Sequence, residues 1–221
     1  MYLSSSIIPA NSSQFPPPES ADENGLLAIG SNLQVDTLLK AYRLGAFPWY
    51  SENQPILWHH PDPRFVLFPR DLRISHSMKS LLKKETFTFR RNHSFEEVVQ
   101  NCGRIKRKNQ EGLDGWISED IETAYGNLYK AGFAQSAEAW EGNHLTGGLY
   151  GVQLGQVFFG ESMFSTKSNA SKFAFIKMVQ HLQKQGIQLI DCQVYTAHLA
   201  SLGARFISRK QFTELLEDLI P

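Results

Sequence analysis

The order in which the periodicities change along this chain predicts an α+β fold in two parts. Three strand-like runs, 134–140, 145–154 and 156–164, follow one another with the turn signals Glu141-Gly142-Asn143 and Gly155 between them, and strands joined this tightly pair antiparallel. A helical stretch over 169–185, an apolar run over 187–194 and a helix opened by Ser208-Arg209-Lys210-Gln211 come next. A meander followed by interspersed helices makes a partly antiparallel α+β layout rather than an alternating one. The third observation is Pro61 and Pro63, which follow an aromatic stretch that itself contains Pro48. Proline at this density opposes regular structure, so the boundary falls near residues 60–65, with a small part over 1–63 and a larger one over 64–221.

The elements can be justified in order. Residues 1–24, rich in Ser, Pro and Asn and containing Phe15-Pro16-Pro17-Pro18, are expected to be extended rather than packed. Over 35–44, Leu38, Leu39 and Tyr42 share a helical face, and Gly45 stops the helix. Phe65-Val66-Leu67-Phe68 reads as a strand, and Ser75 caps a short helix through Lys84. Phe87-Thr88-Phe89 alternates like a strand, and Ser94-Phe95-Glu96-Glu97 is a capping box before Val98-Val99. Ser118 opens a helix with Glu119, Asp120 and Glu122 at its positive end. Ile121, Ala124, Tyr125 and Leu128 form its apolar stripe, and Gly132 ends it.

Composition narrows the classes. The chain has 221 residues, 42% of them hydrophobic, enough for a sizeable core. No apolar run approaches the ~20 residues of a membrane span, and no basic-then-apolar leader pattern opens the sequence. The two cysteines, Cys102 and Cys192, are not spaced as a CxxC pair, so neither a disulfide framework nor a zinc site is expected. A reduced, cytoplasmic, non-membrane protein is the expectation. Net charge is zero, yet 64–108 holds twelve basic and four acidic residues, densest at Arg104-Ile105-Lys106-Arg107-Lys108. Such a segment is either an electrostatic footprint for nucleic acid or a solvated face.

The chemistry concentrates in two apolar runs that each carry an acid, Val157-Phe158-Phe159-Gly160-Glu161-Ser162-Met163-Phe164 and Leu189-Ile190-Asp191-Cys192-Gln193-Val194. An unpaired buried carboxylate costs several kcal/mol, which singles out Glu161, Asp191 and Gln193. If 187–194 is a strand throughout, Asp191 and Gln193 share a face. The Asp191 carboxylate then accepts from the Gln193 amide and aims its oxygen outward, where it can orient an incoming amine. A structural polar pair is the alternative. Glu161 can bind a cationic group, take a proton, or pair with a basic residue of the central segment. Cys192 points to the other face and reads as a buried hydrophobe rather than a nucleophile. His59-His60 reads as two loop histidines without metal-ligand spacing. Gly147-Gly148-Leu149-Tyr150-Gly151 lacks the lysine and serine of a phosphate loop and reads as a strand needing close backbone approach.

These residues, with Asn24 to Gly30, Ala41 to Trp49, Trp58, Pro61-Asp62-Pro63-Arg64, Asn169-Ala170-Ser171-Lys172 and Ala200-Ser201-Leu202-Gly203-Ala204, resemble the leucyl/phenylalanyl-tRNA–protein transferases, most specifically in Gly160-Glu161-Ser162-Met163-Phe164-Ser165 and Ile190-Asp191-Cys192-Gln193-Val194. The resemblance implies a small N-terminal domain and an acetyltransferase-like (GNAT-like) C-terminal domain. It also implies transfer of Leu or Phe from Leu-tRNA or Phe-tRNA to proteins beginning with Arg or Lys, which marks them for degradation. No cofactor and no metal are implied, and a monomer is expected. Asp191, Gln193 and Glu161 would be catalytic, and Leu149, Phe158, Gly160 and Ile190 would line the aminoacyl pocket. Leu149 stands where many members have Met. Trp49, Trp116 and Tyr125 would meet the terminal adenosine of the tRNA, and Arg104, Lys106, Arg107 and Lys108 its phosphates. Two other classes compete: an acetyl-CoA-dependent transferase, disfavoured because Thr166 to Lys172 holds no glycine for a pyrophosphate, and a nucleic-acid-binding module without catalysis.

Overall fold

A computed structural model describes residues 6–51, 54–104 and 117–221. The front of the chain forms β1 (Ser6–Ile8), β2 (Leu26–Gly30), α1 (Val35–Arg43), β3 (Phe47–Pro48) and β4 (Leu57–His59). These strands make a four-stranded sheet in the order β1-β2-β4-β3, with β1 parallel to β2 and the others antiparallel. The front sheet departs from expectation in two places. Part of 1–24 is a paired strand, and the proline-dense region contains strands of two and three residues. Pro48 is accommodated because β3 is an edge strand, where a missing N–H costs no ladder bond.

The rest of the chain forms β5 (Arg64–Leu67), α2 (His76–Lys83), β6 (Thr88–Arg91), α3 (Phe95–Arg104), α4 (Glu119–Lys130), β7 (Ala134–Glu141), β8 (His144–Leu154), β9 (Val157–Ser165), α5 (Ala170–Lys184), β10 (Leu189–Asp191), α6 (Ala197–Ser201), β11 (Arg205–Ile207) and α7 (Arg209–Leu219). Its sheet runs β11-β5-β10-β9-β8-β7-β6, antiparallel except where β10 lies parallel to β9. The fold is α+β, as expected. Ser75, Ser118 and Ser208 accept from the first turns of α2, α4 and α7. The reading missed α6, capped by Thr196, and the edge strand β11.

One face of this sheet packs on α3, α4 and the front sheet, through Val98, Tyr125, Tyr150, Phe159, Leu38, Tyr42 and Trp58. The other packs on α5 and α2 through Leu149, Phe158, Phe173, Ile176 and Met78. Phe159 and Phe164 lie in the same apolar cluster although five residues apart, which a regular strand forbids. The register explains it: Tyr150 pairs with Ser162 and Gly151 with Gly160, so Glu161 is the extra residue of a bulge in β9. A bulge leaves one residue unpaired and re-aims its side chain.

Gly151 makes the bulge possible. A Cβ there would sit 2.2 Å from the Phe159 carbonyl oxygen and 2.5 Å from Phe158 Cζ. Replacing Gly151 with alanine is expected to destabilise the protein by about 1–3 kcal/mol through overpacking, read as a lower urea midpoint. An unchanged midpoint would show that β8 and β9 separate without cost.

The second device is the early end of β10. The strand pairs with β9 only over Leu189–Asp191, opposite Val157–Phe159. Gln193 then takes a left-handed conformation, φ 62°, and the chain turns away while β9 continues to Ser165. The expected strand over 187–194 is therefore cut short, and the gap beside the second half of β9 is a cavity.

Candidate active site

The cavity has a volume of about 360 Å³. Its apolar lining includes Leu149, Met163, Phe164, Phe175, Ile190 and Leu199, and its polar lining includes Glu161, Asp191 and Gln193. Of the residues expected to line an aminoacyl pocket, Leu149, Gly160 and Ile190 border it and Phe158 does not. Phe158 is 1% exposed and packs in the α5 cluster, with its ring over Gly151.

Neither carboxylate is unpaired. Asp191 takes a bidentate ion pair from Arg64, with Nε 2.8 Å from Oδ1 and Nη2 2.6 Å from Oδ2, both side chains fully buried. The guanidinium carbon lies 4.8 Å from the Phe47 ring centroid and 4.5 Å from that of Phe212. Arginine's planar fork and weak hydration suit both the fork contact and the stacking. By composition Arg64 belongs to the basic segment, but it heads the buried strand Arg64-Phe65-Val66-Leu67. A lone arginine at the start of an apolar strand is the signal that would have found it.

The expected contact between Asp191 and Gln193 exists in another form. Asp191 Oδ1 accepts from the Gln193 backbone N–H at 2.9 Å, not from its side chain. This bond fits the left-handed turn. The Gln193 side chain donates instead through Nε2 to Glu161 Oε1, at 3.2 Å, which leaves its Oε1 without a protein donor among the described residues. The two residues meet because of the turn, not because they share a strand face.

Glu161 has no arginine or lysine partner among the described residues. Its Oε1 lies 2.7 Å from the Tyr42 hydroxyl and its Oε2 2.7 Å from the Tyr125 hydroxyl. The two hydroxyls are 2.6 Å apart. Burial pushes the Glu161 carboxyl up to about 7; the tyrosine hydroxyls pull it down, and the charge of Asp191 pushes it up. Burial also raises both tyrosines well above their ordinary range. Tyr125, expected at an adenosine, is 0% exposed and offers no ring face in this structure. Tyr42, read from sequence only as a core residue, is an unforeseen member of the site.

The remaining candidates separate. Trp49 is half-buried against Phe47 and His59 and does not border the cavity. Trp116, Lys106, Arg107 and Lys108 lie outside the described residues, and Arg104 is exposed at the end of α3. Burial, with Asp191 adding to it, raises the Cys192 thiol far from the thiolate, so it is not a nucleophile. His59 lies in a strand, and His60, as expected, in none. His59 ends β4, and His60 is fully buried and held down to about 3 by burial and by Arg64 and Arg209. Among the described residues no group of three His, Cys, Asp or Glu is placed to hold a metal ion. Glu138 is a buried acid the reading passed over. It accepts from the backbone of His93 and Ser94 and from Ser136 and Trp140, a fully satisfied structural carboxylate.

Comparison with known proteins places this geometry in context. A family model described as leucyl/phenylalanyl-tRNA protein transferase matches residues 66–217, and one described as its N-terminal domain matches 31–62. The leucyl/phenylalanyl-tRNA–protein transferase of Christiangramia forsetii is 52% identical over 205 residues, covering 92% of this chain and 96% of that protein. The one from Syntrophobacter fumaroxidans is 49% identical over 207 residues, covering 94% and 88%. Among solved structures, L-PGS from Bacillus licheniformis is similar at 15% identity and a TM-score of 0.41, covering 86% of this chain and 65% of that one. A GCN5-related N-acetyltransferase-like protein from Streptococcus suis is similar at 12% identity and a TM-score of 0.37, covering 66% and 59%.

Proposed function

We infer the function from one premise: this chain belongs to the leucyl/phenylalanyl-tRNA–protein transferase family. It is an aminoacyltransferase that moves leucine or phenylalanine from aminoacyl-tRNA to a protein. The acceptor is the α-amino group of a protein beginning with Arg or Lys, and the product is routed to degradation. The protein acts as a cytoplasmic monomer, its front part over 1–63 and its catalytic part over 64–221. Among the described residues no helix is long and apolar enough to cross a membrane.

The observation that carries the mechanism is the Gln193 amide, tethered by Glu161 in the lining of a largely apolar cavity. The leucyl or phenylalanyl side chain fills the wall formed by Leu149, Gly160 and Ile190. The acceptor amine donates an N–H to Gln193 Oε1 and turns its lone pair to the ester carbonyl. The C–N bond forms, the bond to the ribose oxygen breaks, and the amine proton leaves with that oxygen. An aminoacyl ester is already activated, so positioning supplies most of what the step requires. Asp191 acts through the backbone: with Arg64 behind it, it fixes the turn that presents Gln193. Trp49 and Trp116 are assigned to the tRNA adenosine end, and Arg104, Lys106, Arg107 and Lys108 to its phosphates. Neutralising Lys106, Arg107 and Lys108 is expected to weaken tRNA binding and flatten its salt dependence. An unchanged salt slope would remove the segment from the interface.

The direct test mixes purified protein, labelled Leu-tRNA and a peptide beginning with Arg, against a matched peptide beginning with Ala, without CoA. Label is expected on the Arg peptide alone. Folded protein that binds tRNA and labels neither peptide would leave a binding module and sink this reading.

A further inference from the structure

The orientation of Gln193 depends on Glu161, and the state of Glu161 can be read from its neighbours. We propose that Glu161 carries a proton in the substrate-free site, as one member of a closed hydrogen-bonded ring with Tyr42 and Tyr125, and that the two tyrosines are positioning residues for Gln193 through it.

Three groups make three short contacts, Tyr42 to Oε1, Tyr125 to Oε2 and hydroxyl to hydroxyl, at 2.7, 2.7 and 2.6 Å. Each hydrogen bond uses one proton, and two phenols supply two. With Glu161 ionised, both protons go to the carboxylate. The phenolic oxygens then face each other at 2.6 Å with nothing between them. With Glu161 protonated, three protons serve three contacts: Oε2–H donates to Tyr125, Tyr125 donates to Tyr42, and Tyr42 donates to Oε1. Oε1 is then a carbonyl oxygen with a second lone pair for Gln193 Nε2, the bond the structure shows.

The surroundings agree. From α1 comes Tyr42, whose ring lies 4.9 Å from that of Phe159; from α4 comes Tyr125; from β8 comes Tyr150, edge-on to Tyr125 at 5.2 Å. On the β10 side stand Gln193 and Asp191, the latter neutralised by Arg64 of β5. None of these is an uncompensated cation that would hold a carboxylate ionised. Burial, the largest effect on the carboxyl, favours the protonated acid, against the hydrogen bonds from Tyr125, Tyr42 and Gln193.

The consequence for the reaction rests on the function inferred above. A carboxylate beside the acceptor would hold its terminal amine as ammonium, which has no lone pair to attack with. A neutral ring leaves Gln193 Oε1 as the acceptor of the amine N–H and keeps the amine nucleophilic. No bond to Glu161 is made or broken, and the ring protons stay in place.

The test begins without substrate. Glutamate labelled with ¹³C at the side-chain carboxyl is followed by NMR across pH, with the Glu161 resonance identified by its absence from Glu161→Gln. It is expected to remain at the protonated position at pH ~5.5, where ordinary glutamates have ionised. Titration together with the others overturns the proposal. In turnover, kcat/KM for the Arg peptide is expected to fall as the ring loses its proton. Glu161→Gln, whose amide can donate to Tyr125 and accept from Tyr42, is expected to transfer at a measurable rate without that fall. A folded Glu161→Gln with no transfer, or with the wild-type profile, overturns it. If the wild-type protein transfers nothing, the functional reading fails, and the titration still decides the ring.

Discussion

Replacing Arg64 with alanine is expected to lower the unfolding free energy by about 3–5 kcal/mol, the range for breaking a buried ion pair from one side. A domain's whole stability is only about 5–15 kcal/mol, so the loss is at least about a fifth of it and at most nearly all of it. The cause is specific. Arg64 and Asp191 are both fully buried, and removing the cation leaves a carboxylate whose remaining partner is one backbone N–H. The cavity between Phe47 and Phe212, where the guanidinium now lies, adds to the loss. Urea unfolding followed by circular dichroism measures it, and a change under ~1 kcal/mol would mean the pair contributes as little as an exposed one. Replacing both partners by apolar residues, Arg64→Met with Asp191→Leu, is expected to recover most of the stability, because the desolvation cost disappears with the charges. Transfer is expected to stay low, since nothing then holds the Gln193 N–H. Asp191→Ala alone is expected to lower both stability and transfer, for it leaves Arg64 buried without its partner.

Gln193→Ala separates chemistry from folding. Its side chain makes one hydrogen bond, to Glu161, worth roughly 0.5–1.5 kcal/mol to stability. The left-handed φ of 62° is as costly for alanine as for glutamine, so the backbone term cancels. In the proposed mechanism this amide places the amine, and misplacement by about 1 Å costs on the order of 100-fold. A rate loss of that order in single turnover is expected, with aminoacyl-tRNA binding close to wild type. A loss below threefold would remove Gln193 from the reaction and return it to the role of a structural polar pair.

Much of the architecture was legible in the residues. The apolar stripe of α4, the serines that cap α2, α4 and α7, and the turns of the β7–β9 meander each follow from local spacing. The short strands of the front sheet were not legible, because two or three residues carry no periodicity and their pairing is set by partners far along the chain. The site shows the same division. Glu161, Asp191 and Gln193 stood out as polar groups in apolar runs, whereas their partners did not: Tyr42 is 119 residues from Glu161, and Arg64 is 127 from Asp191. The bulge at Glu161 and the early end of β10 decided which atoms met. Both are register effects, invisible to an alternation count that assumes a regular strand.

Tyr42 stands on α1, beside the four-stranded sheet, and its hydroxyl reaches a carboxyl on β9 of the seven-stranded one. The two halves were therefore shaped as a pair. A recombination that joined a foreign front half at Pro61–Pro63 would have to supply a hydroxyl in this place as well as an apolar face that fits the large sheet. Grafting the back half alone onto another scaffold would meet the same obstacle. For anyone building chimeras from such proteins, the seam to respect is not where one sheet ends and the next begins, but the contact between two hydroxyls and one carboxyl that crosses it.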